Sequence, residues 1–407
     1  MRAWQRLRKS LGPVTAHNFL IDASAAGLFA IFQALTAPFV AVVAVRRGAT
    51  PLEIGLIAAA PSVAMLLSAW YARLAERWSR VGIVSWCTGI ARLFLLVTGW
   101  THGMGLYLLS FLGFNVLSAA SNPAYTSLER DLYHQNWRGR LMAGVRFTLG
   151  LCQFATMLVA GQLLDRWGAG PVFSLAVVFG LGSAAVFSRM REPARPPAAE
   201  RRRGPGLRAT LAGDPRLRRM LVAVMLAGGG NLLVQPGYPI YQVHVLHLNN
   251  EGIALLTAMW SVAWMVGYPL WGRLCDRSRP ARAVAAAFLL YLFPPLCYAL
   301  GGHLGLLLVA SGLQGLGDSA LDCGWQNHAM RLANERIDAY AGVYFAFLGM
   351  RGTVAPLLGA VVISRWGLRP LFLGGMALVA SGVVVARHLP DGPLEMRSEG
   401  PAVTPGL

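Results

Sequence analysis

Four polar side chains recur at every fourth position of one long apolar segment, residues 304–328. They are Gln314, Asp318, Asp322 and Gln326, and a spacing of four places them on one face of a helix. A carboxyl group near the middle of a bilayer costs about 2.5–3.5 kcal/mol on insertion scales, so two of them need a cationic partner, a proton or a water-filled cavity. Because burial and mutual repulsion favour the neutral form, at least one of these carboxyls is expected to bind and release protons.

The composition places this helix in a membrane protein. The chain has 407 residues, of which 55% are hydrophobic and 13% charged, whereas soluble domains carry about 25% charged residues. Lipid offers no water to backbone amides, so each membrane-crossing segment must be helical. The expected fold class is an all-α membrane protein with twelve transmembrane helices. The predicted spans 1 to 12 cover residues 19–45, 52–74, 81–101, 104–126, 143–164, 171–188, 220–246, 252–272, 283–301, 304–328, 341–363 and 370–388.

The 36 Lys and Arg residues are distributed unevenly across the predicted membrane. If the N-terminus lies inside, most of them fall on inner loops and tails, and this bias predicts cytoplasmic N- and C-termini in a multi-pass protein of the cell inner membrane. The net charge of +18 then sets topology and contacts anionic headgroups of the lipid bilayer. No basic, aromatic-interleaved domain suggests nucleic acid as a partner. The exceptions to the bias are Arg46, Arg47, Arg166, Arg365 and Arg369 on outer loops and Arg92, Arg146 and Arg351 within spans.

The spans fall into two sets of six that repeat each other at an offset of about 200 residues. Ala143-Gly-Val145 returns as Ala341-Gly-Val343, and Arg166-Trp-Gly168 returns as Arg365-Trp-Gly367. Six is an even number, so the repeats run parallel, and a binding site is expected between them near the membrane midplane. The predicted domains are a six-helix bundle over 1–188, a basic cytoplasmic linker over 189–219, a second bundle over 220–388 and a disordered tail over 389–407.

A short motif follows spans 2 and 8. It reads Gly272-Arg-Leu-Cys-Asp276-Arg277 in the second half and Ala72-Arg-Leu-Ala-Glu76-Arg77 in the first, with a fainter version, Gly161-Gln-Leu-Leu-Asp165-Arg166, at the end of span 5. With its twelve spans, the chain resembles the major facilitator superfamily of transporters over essentially its full length. The resemblance implies that two bundles rock about a central cavity and that the motif forms a conformational latch. The latch residues that it implies are Glu76, Arg77, Arg80, Gly272, Asp276 and Arg277.

The same resemblance implies that spans 1, 4, 7 and 10 face the cavity. Their polar side chains are therefore candidates for binding substrate or protons, although Asp22 can instead complement a helix N-terminus and Asn122-Pro123 can mark a bend. Three glycines and two prolines predict a broken helix in span 7, where polar packing between helices is the alternative to ligand binding. Besides the four residues of span 10, the candidates are Asp22, Gln33, Asn115, Asn122, Asn231, Gln235, Tyr238 and Tyr241.

Three arginines and three tryptophans inside the predicted spans also have expected positions and partners. Arg92 and Arg351 are expected near midplane as further candidates for the substrate and proton site, with the acids named above as partners, whereas Arg146 is expected to reach the inner interface. The tryptophans of span 8 have helical spacing and are expected to pack against lipid or a neighbouring helix. These tryptophans are Trp260, Trp264 and Trp271.

The function expected from these features is secondary active transport of a small molecule, with proton-coupled efflux of an amphipathic or cationic compound as the first hypothesis. Span 5 lacks the Gly-Pro motif of many proton antiporters in the superfamily, which weakens that assignment. The alternatives are proton-coupled or facilitated uptake of a small polar or anionic metabolite and a non-transporting membrane receptor with a transporter fold. Without a phosphate-binding loop, ATP is not expected to drive the process. We expect a monomer with no enzymatic activity, cofactor or bound metal, whose partners are substrate, protons and lipid.

Overall fold

The computed structural model describes residues 12–133, 135–192, 214–276, 280–333 and 337–389. The predicted disordered tail and most of the predicted linker lie outside the described residues, as does Arg277 of the predicted latch. Helices make up nearly all of the described chain, and they follow the predicted spans.

Spans 1 to 6 consist of helices Pro13–Arg46, Pro51–Leu66 with Ser68–Arg77, Arg80–Trp100, Met104–Ala119 with Ser121–Leu132, Gln135–Trp167 and Ala169–Phe187. Spans 7 to 12 consist of helices Pro215–Val234 with Gly237–His244, Asn250–Asp276, Pro280–Leu290 with Phe293–Ala299, Leu304–Ala333, Ile337–Trp366 and Leu368–Ala386. Among the described residues, 11 helices are long and apolar enough to cross a membrane. The pair in span 2, bent by 51°, raises the number to 12. The all-α fold with twelve spans is therefore confirmed.

Glycines determine where two pairs of spans turn. The repeated Arg-Trp-Gly motif ends span 5 at Gly168 and span 11 at Gly367, whose φ angles are 77° and 86°. Each glycine donates its backbone N–H to a carbonyl of the preceding helix, that of Leu164 or Ile363. Left-handed backbone of this kind favours glycine because it has no Cβ. The motif therefore recurs because both halves need the same tight turn.

Prolines explain why two spans are broken. Span 7 breaks at Gln235 and Pro236, which confirms the predicted broken helix, and span 9 breaks just before Pro294 and Pro295. A proline has no N–H to donate, and its ring clashes with the backbone carbonyl four residues earlier. The break in span 9 leaves Tyr291 at the end of its first helix, buried at 3% exposure.

Apolar clusters lie within each half, and the main cluster of the first half also includes Ile253 and Ala254 of span 8. The main contacts between them join span 2 to span 11 and span 5 to span 8. The internal repeat relates these two contacts, because it converts span 2 into span 8 and span 5 into span 11. Small residues bring the helices together: a Cβ on Gly55 would lie 2.7 Å from that of Ala360, and one on Gly161 would lie 2.5 Å from the backbone of Glu251.

Replacing one closely packed glycine of the second half is expected to cause a large loss of stability. A Cβ on Gly359 would lie 2.0 Å from the backbone carbonyl oxygen of Leu233, so Gly359→Ala must push span 11 away from span 7. We expect a loss of about 1–3 kcal/mol in unfolding free energy, the usual result of overpacking, measured by thermal unfolding in detergent. Gly374→Ala in span 12 is the control, because a Cβ there meets nothing within 4 Å. Equal melting temperatures for the two variants would contradict this prediction.

Candidate substrate and proton site

The carboxylate of Asp318 accepts three hydrogen bonds from neutral side chains. Trp260 Nε1 donates to Oδ2 over 2.7 Å, whereas Tyr291 Oη and Gln314 Nε2 donate to Oδ1 over 2.6 Å and 3.2 Å. Within the described chain, no cation lies at ion-pair distance from Asp318. The three donors satisfy the carboxylate oxygens but leave the negative charge unneutralised, and a proton or a cationic ligand would remove that charge.

Three elements bring these donors together. Gln314 lies one turn before Asp318 on span 10, so the predicted shared face is confirmed for this pair. Trp260 comes from span 8, the neighbour that packs most extensively against span 10. Tyr291 comes from span 9, where the proline-induced break ends the first helix beside it. The donor set therefore depends on helix packing as well as on helix spacing.

Asp322 lies one turn further along span 10, in surroundings more open than those of Asp318. Its Oδ2 atom accepts hydrogen bonds from Tyr268 Oη over 2.9 Å and from Trp264 Nε1 over 3.3 Å. The side chain of Asp322 is exposed, whereas Asp318 is half-buried. Two acids that are neighbours on one helix thus have different surroundings, which assigns them different chemistry.

The aromatic side chains of span 8 follow the acids of span 10 in register. Trp260 bonds Asp318 and Trp264 bonds Asp322, each across 58 residues of chain, as expected for two helices that run in the same direction. The rings also contact each other, with centroids 6.0 Å apart for Trp260 and Trp264 and 4.7 Å apart for Trp264 and Tyr268. The prediction of packing against a neighbouring helix is confirmed, but it missed that two of the tryptophans are hydrogen-bond donors to the acids.

Neither buried arginine pairs with these acids, so that prediction was wrong. Arg351 Nη1 donates to the backbone carbonyl of Val224 over 2.6 Å, and its Nε atom has no partner among the described residues. Arg92 donates to the carbonyl of Gly180 and lies over the rings of Phe29 and Phe32, 5.7 Å and 5.2 Å from their centroids. Helix carbonyls and aromatic faces take the place of carboxylates as the groups that accept these cations.

Asp22 is held inside the first half. Tyr125 Oη donates to Oδ1 over 3.0 Å and Tyr133 Oη to Oδ2 over 2.7 Å, and the residue is only 2% exposed. Tyr125 lies on the second helix of span 4, and Tyr133 directly follows that helix. The carboxylate is thus bonded to span 4 rather than to the start of its own helix, and its role as a cavity acid stays a prediction.

The remaining candidates of spans 1, 4 and 7 divide into packed and open groups. Asn115 donates to the carbonyl of Phe111 in its own helix over 2.8 Å. Tyr238 is packed between Tyr298 and Phe372, with its hydroxyl buried and without a partner among the described residues. Tyr241 is buried and packs edge-on against the same two rings. Asn122 and Gln235 are exposed, Gln33 is half-buried and Asn231 is buried at 8% exposure. The side chain of Gln326 lies outside the described residues.

Of the residues implied as a latch, Arg80 forms ion pairs whose partners the structure describes. Arg80 forms ion pairs with Asp131 over 2.5 Å and Glu192 over 3.0 Å, so it joins the start of span 3 to the end of span 4 and to the segment after span 6. Glu76 and Arg77 are exposed. A Cβ on Gly272 would meet nothing within 4 Å, and the side chain of Asp276 is not described. The role of these residues as a latch between conformations stays a prediction.

The interactions of Glu192 with Ser79 and Arg80 are expected to stabilise the fold in a pH-dependent way. Burial by itself raises the pKa of this carboxyl, but hydrogen bonds from Ser79 and Arg80 outweigh burial and hold the pKa below its usual value of 4.5. A lowered pKa means that the interaction stabilises the fold above about pH 4.5 and is lost as the pH falls through the lowered value. Glu192→Gln should therefore lower the melting temperature at pH 7, with a smaller deficit at pH 4. An equal deficit at both pH values would contradict the prediction.

A network of hydrogen bonds joins the two halves at the membrane face where span 1 ends, which we call the Arg46 end. Asp165, at the end of span 5, accepts from Asn250 Nδ2 over 2.6 Å and from the backbone N–H groups of Asn250 and Glu251 over 3.2 Å and 3.3 Å. Arg46 donates to Asn250 Oδ1 over 2.6 Å and to the Leu248 carbonyl over 2.7 Å. Asp165 thus binds the free N–H groups at the start of span 8, where a negative charge is also favoured by the helix dipole.

The sequence contained signals for some of the residues that its analysis missed. Trp260, Trp264 and Tyr268 recur every four residues, as do the acids of span 10, and matched periods on two helices indicate a contact. The fainter motif that contains Asp165 is visible in the sequence, but the sequence does not indicate a role for this residue. Tyr291 had no local signal, because its role depends on the break in span 9. Among the described residues, no cluster of three or more His, Cys, Asp or Glu side chains could hold a metal ion.

Comparisons with known proteins agree with this architecture. The family model of the Major Facilitator Superfamily matches residues 23–277 and 220–404. No curated protein matches the sequence. Many solved structures match the fold, including a bacterial homologue of the human lysosomal transporter Spinster in its inward-facing, unoccupied conformation, at 15% identity, with a TM-score of 0.65 over 93% of this chain and 95% of that one.

Two further solved structures give the same result. The occupied inward-facing form of the Spinster homologue has 14% identity and a TM-score of 0.68 over 92% of this chain and 97% of that one. A mutant form of the nucleoside transporter NupG has 11% identity and a TM-score of 0.72 over 92% of this chain and 98% of that one. The fold and the paired six-helix halves define a multi-pass membrane transporter. The chain belongs to the Major Facilitator Superfamily.

Proposed function

We propose that this chain is a proton-coupled secondary transporter in which Asp318 binds the proton. The observation that carries the proposal is the donor set of Asp318, which consists of three neutral side chains and no cation among the described residues. An ion pair would hold the carboxylate charged, whereas neutral donors in a membrane interior leave protonation as the way to remove its charge. A proton can therefore enter and leave this site within a transport cycle.

Asp322 is the better candidate for the substrate. Its exposed carboxylate lies beside Trp264 and Tyr268, so a ligand could meet both a negative charge and aromatic surface there. A cationic group on a small amphipathic molecule fits this combination. One acid that binds protons next to one that binds substrate supplies coupling, because the charge on each acid affects what the other binds. This arrangement supports efflux of an amphipathic or cationic compound across the cell inner membrane by a monomer.

The Arg46 end supplies the conformational part of the cycle. The hydrogen bonds of Arg46, Asp165 and Asn250 close this end in the present structure. Alternating access requires that they break when this end opens, and each bond links the two halves directly. A network of polar contacts near the surface suits that requirement, because water can replace its hydrogen bonds at small net cost.

The experiment that tests the proposal uses purified protein in proteoliposomes. A thermal-shift screen of amphipathic amines, metabolites and drugs first identifies compounds that bind, and flux of each is then measured with and without a pH gradient. We expect gradient-driven flux that disappears when the gradient is collapsed. Flux that is unchanged by collapse would support facilitated transport or uptake of a polar metabolite, and binding without flux would support a receptor. Either result would overturn proton coupling.

A further inference from the structure

Arg146 is a cation inside a membrane span, and it is not part of the proposed proton site. It lies in span 5, its side chain is exposed, and it makes no hydrogen bond or ion pair within the described part of the chain. Its position in the sequence predicts that it reaches the inner interface. A charged residue within a span more often faces a water-filled cavity or a partner than lipid, so the surroundings of Arg146 decide its role.

The packing of spans 5 and 8 shows what Arg146 faces. These helices run in opposite directions, with Gly161 against Glu251 at one end and Gly150 against Met265 further along. Arg146 lies one turn beyond Gly150 on the same face of span 5. Tyr268 lies nearly one turn beyond Met265 on span 8, so it is opposite Arg146. An electrostatic interaction between Arg146 and Tyr268 agrees with this register.

Tyr268 connects this place to Asp322. Its hydroxyl donates to Asp322 Oδ2 over 2.9 Å, so the exposed acid of the second half and the exposed cation of the first half both interact with one tyrosine. Arg146 also interacts electrostatically with Asp22. However, Asp22 is buried and already accepts hydrogen bonds from Tyr125 and Tyr133. Asp322 is therefore the exposed acid that is connected to Arg146 through Tyr268.

We propose that Arg146 and Asp322 are the two poles of a divided binding site for a zwitterion, a small solute that carries an anionic and a cationic group. The proposal rests on the proposed function and narrows its substrate class. A purely cationic ligand at Asp322 is repelled by Arg146, and a purely anionic ligand at Arg146 is repelled by Asp322. A zwitterion satisfies both, with Trp264 and Tyr268 beside its apolar part. Because each pole belongs to a different half, such a ligand also favours the conformation that brings the halves together.

Isothermal titration calorimetry on the purified full-length protein can test the proposal with matched compounds. The first set is tryptophan, tryptamine and indole-3-propionate, and the second is leucine, isoamylamine and 4-methylpentanoate. We expect at least one zwitterion to bind about tenfold or more tightly than its own amine and acid. Arg146→Gln should remove this advantage over the amine, and Asp322→Asn should remove it over the acid. Arg146→Lys should retain the advantage because it keeps the positive charge.

The controls separate this proposal from the proposed function. Arg365→Gln removes an exposed arginine at the end of span 11 and should leave every affinity unchanged. If no zwitterion binds, if an amine or acid binds as tightly as its zwitterion, or if Arg146→Gln keeps the full preference, the divided site is wrong. Asp318→Asn should keep the zwitterion preference while losing gradient-driven flux of the bound compound. Retained flux in Asp318→Asn would refute Asp318 as the proton-binding residue and leave the binding result untouched.

Discussion

Replacing Asp318 with asparagine is expected to reduce pH-gradient-driven flux at least about tenfold, the rate equivalent of about 1.4 kcal/mol. Asparagine has nearly the same shape, and its single amide oxygen can still accept from Trp260, while its NH2 group can donate to the Tyr291 hydroxyl in place of the bond that Asp318 accepts. The amide cannot bind and release a proton at physiological pH, however, and the site stays neutral throughout the cycle. Exchange of substrate without net proton movement should continue.

Two measurements check this prediction. Flux of a screened substrate in proteoliposomes gives the loss of coupling, with counterflow of the same substrate as the measure of exchange. Infrared difference spectra recorded between acidic and alkaline pH should show a protonated carboxyl band that is missing in Asp318→Asn. Asp322→Asn is the matched control, because it neutralises the neighbouring acid and should keep that band. If both neutral variants retain gradient-driven flux, proton coupling through span 10 is wrong.

A valine at Gly161 is expected to hold the Arg46 end open. Even a Cβ at this position would lie 2.5 Å from Glu251 Cα and 2.6 Å from the Asn250 carbonyl oxygen, and backbone atoms cannot move aside as a flexible side chain can. The halves must separate at this end, which also breaks the hydrogen bonds of Asp165. Overpacking of about 1–3 kcal/mol corresponds to a shift of about 5- to 150-fold in the equilibrium between conformations. Transport should fall by a similar factor, because the cycle requires this end to close.

Distances between spin labels measure that shift directly. Labels on cysteines introduced at positions 166 and 249, after replacement of the five native cysteines, should move apart in Gly161→Val. Gly105→Val at the start of span 4 is the control, since a Cβ there meets nothing within 4 Å. Asp165→Asn should give a smaller shift in the same direction, because it removes the charge but keeps the shape. Unchanged label distances in Gly161→Val would show that this contact does not control opening.

The spans were predictable from the sequence because membrane crossing imposes strong local rules. Lipid requires about 20 apolar residues in a helix, and the described helices follow the twelve predicted segments. The break in span 7 was also predictable, since Pro236 acts on its own backbone. The face shared by Gln314 and Asp318 follows from helix periodicity alone. Each of these features depends on residues that are near one another in the chain.

The partners of the buried charges could not be predicted in the same way. Arg351 and Arg92 were expected to pair with acids, but they bond helix carbonyls of Val224 and Gly180. Every residue has a backbone carbonyl, so the sequence does not show which carbonyl a buried arginine will bond. Asp165 had a motif but no predicted role, because its partners at the start of span 8 belong to the other half.

The sequence by itself determined the number of spans, the two-fold internal repeat and the acids of span 10, since hydropathy, period and motif are all properties of neighbouring residues. Only the tertiary structure decided that Asp318 is held by neutral donors from spans 8 and 9 while Asp322 remains exposed beside Trp264 and Tyr268. The physical reason is that a side chain's chemistry depends on the groups within a few ångströms of it. In a bundle of helices, those groups come from distant parts of the chain and are brought together by packing.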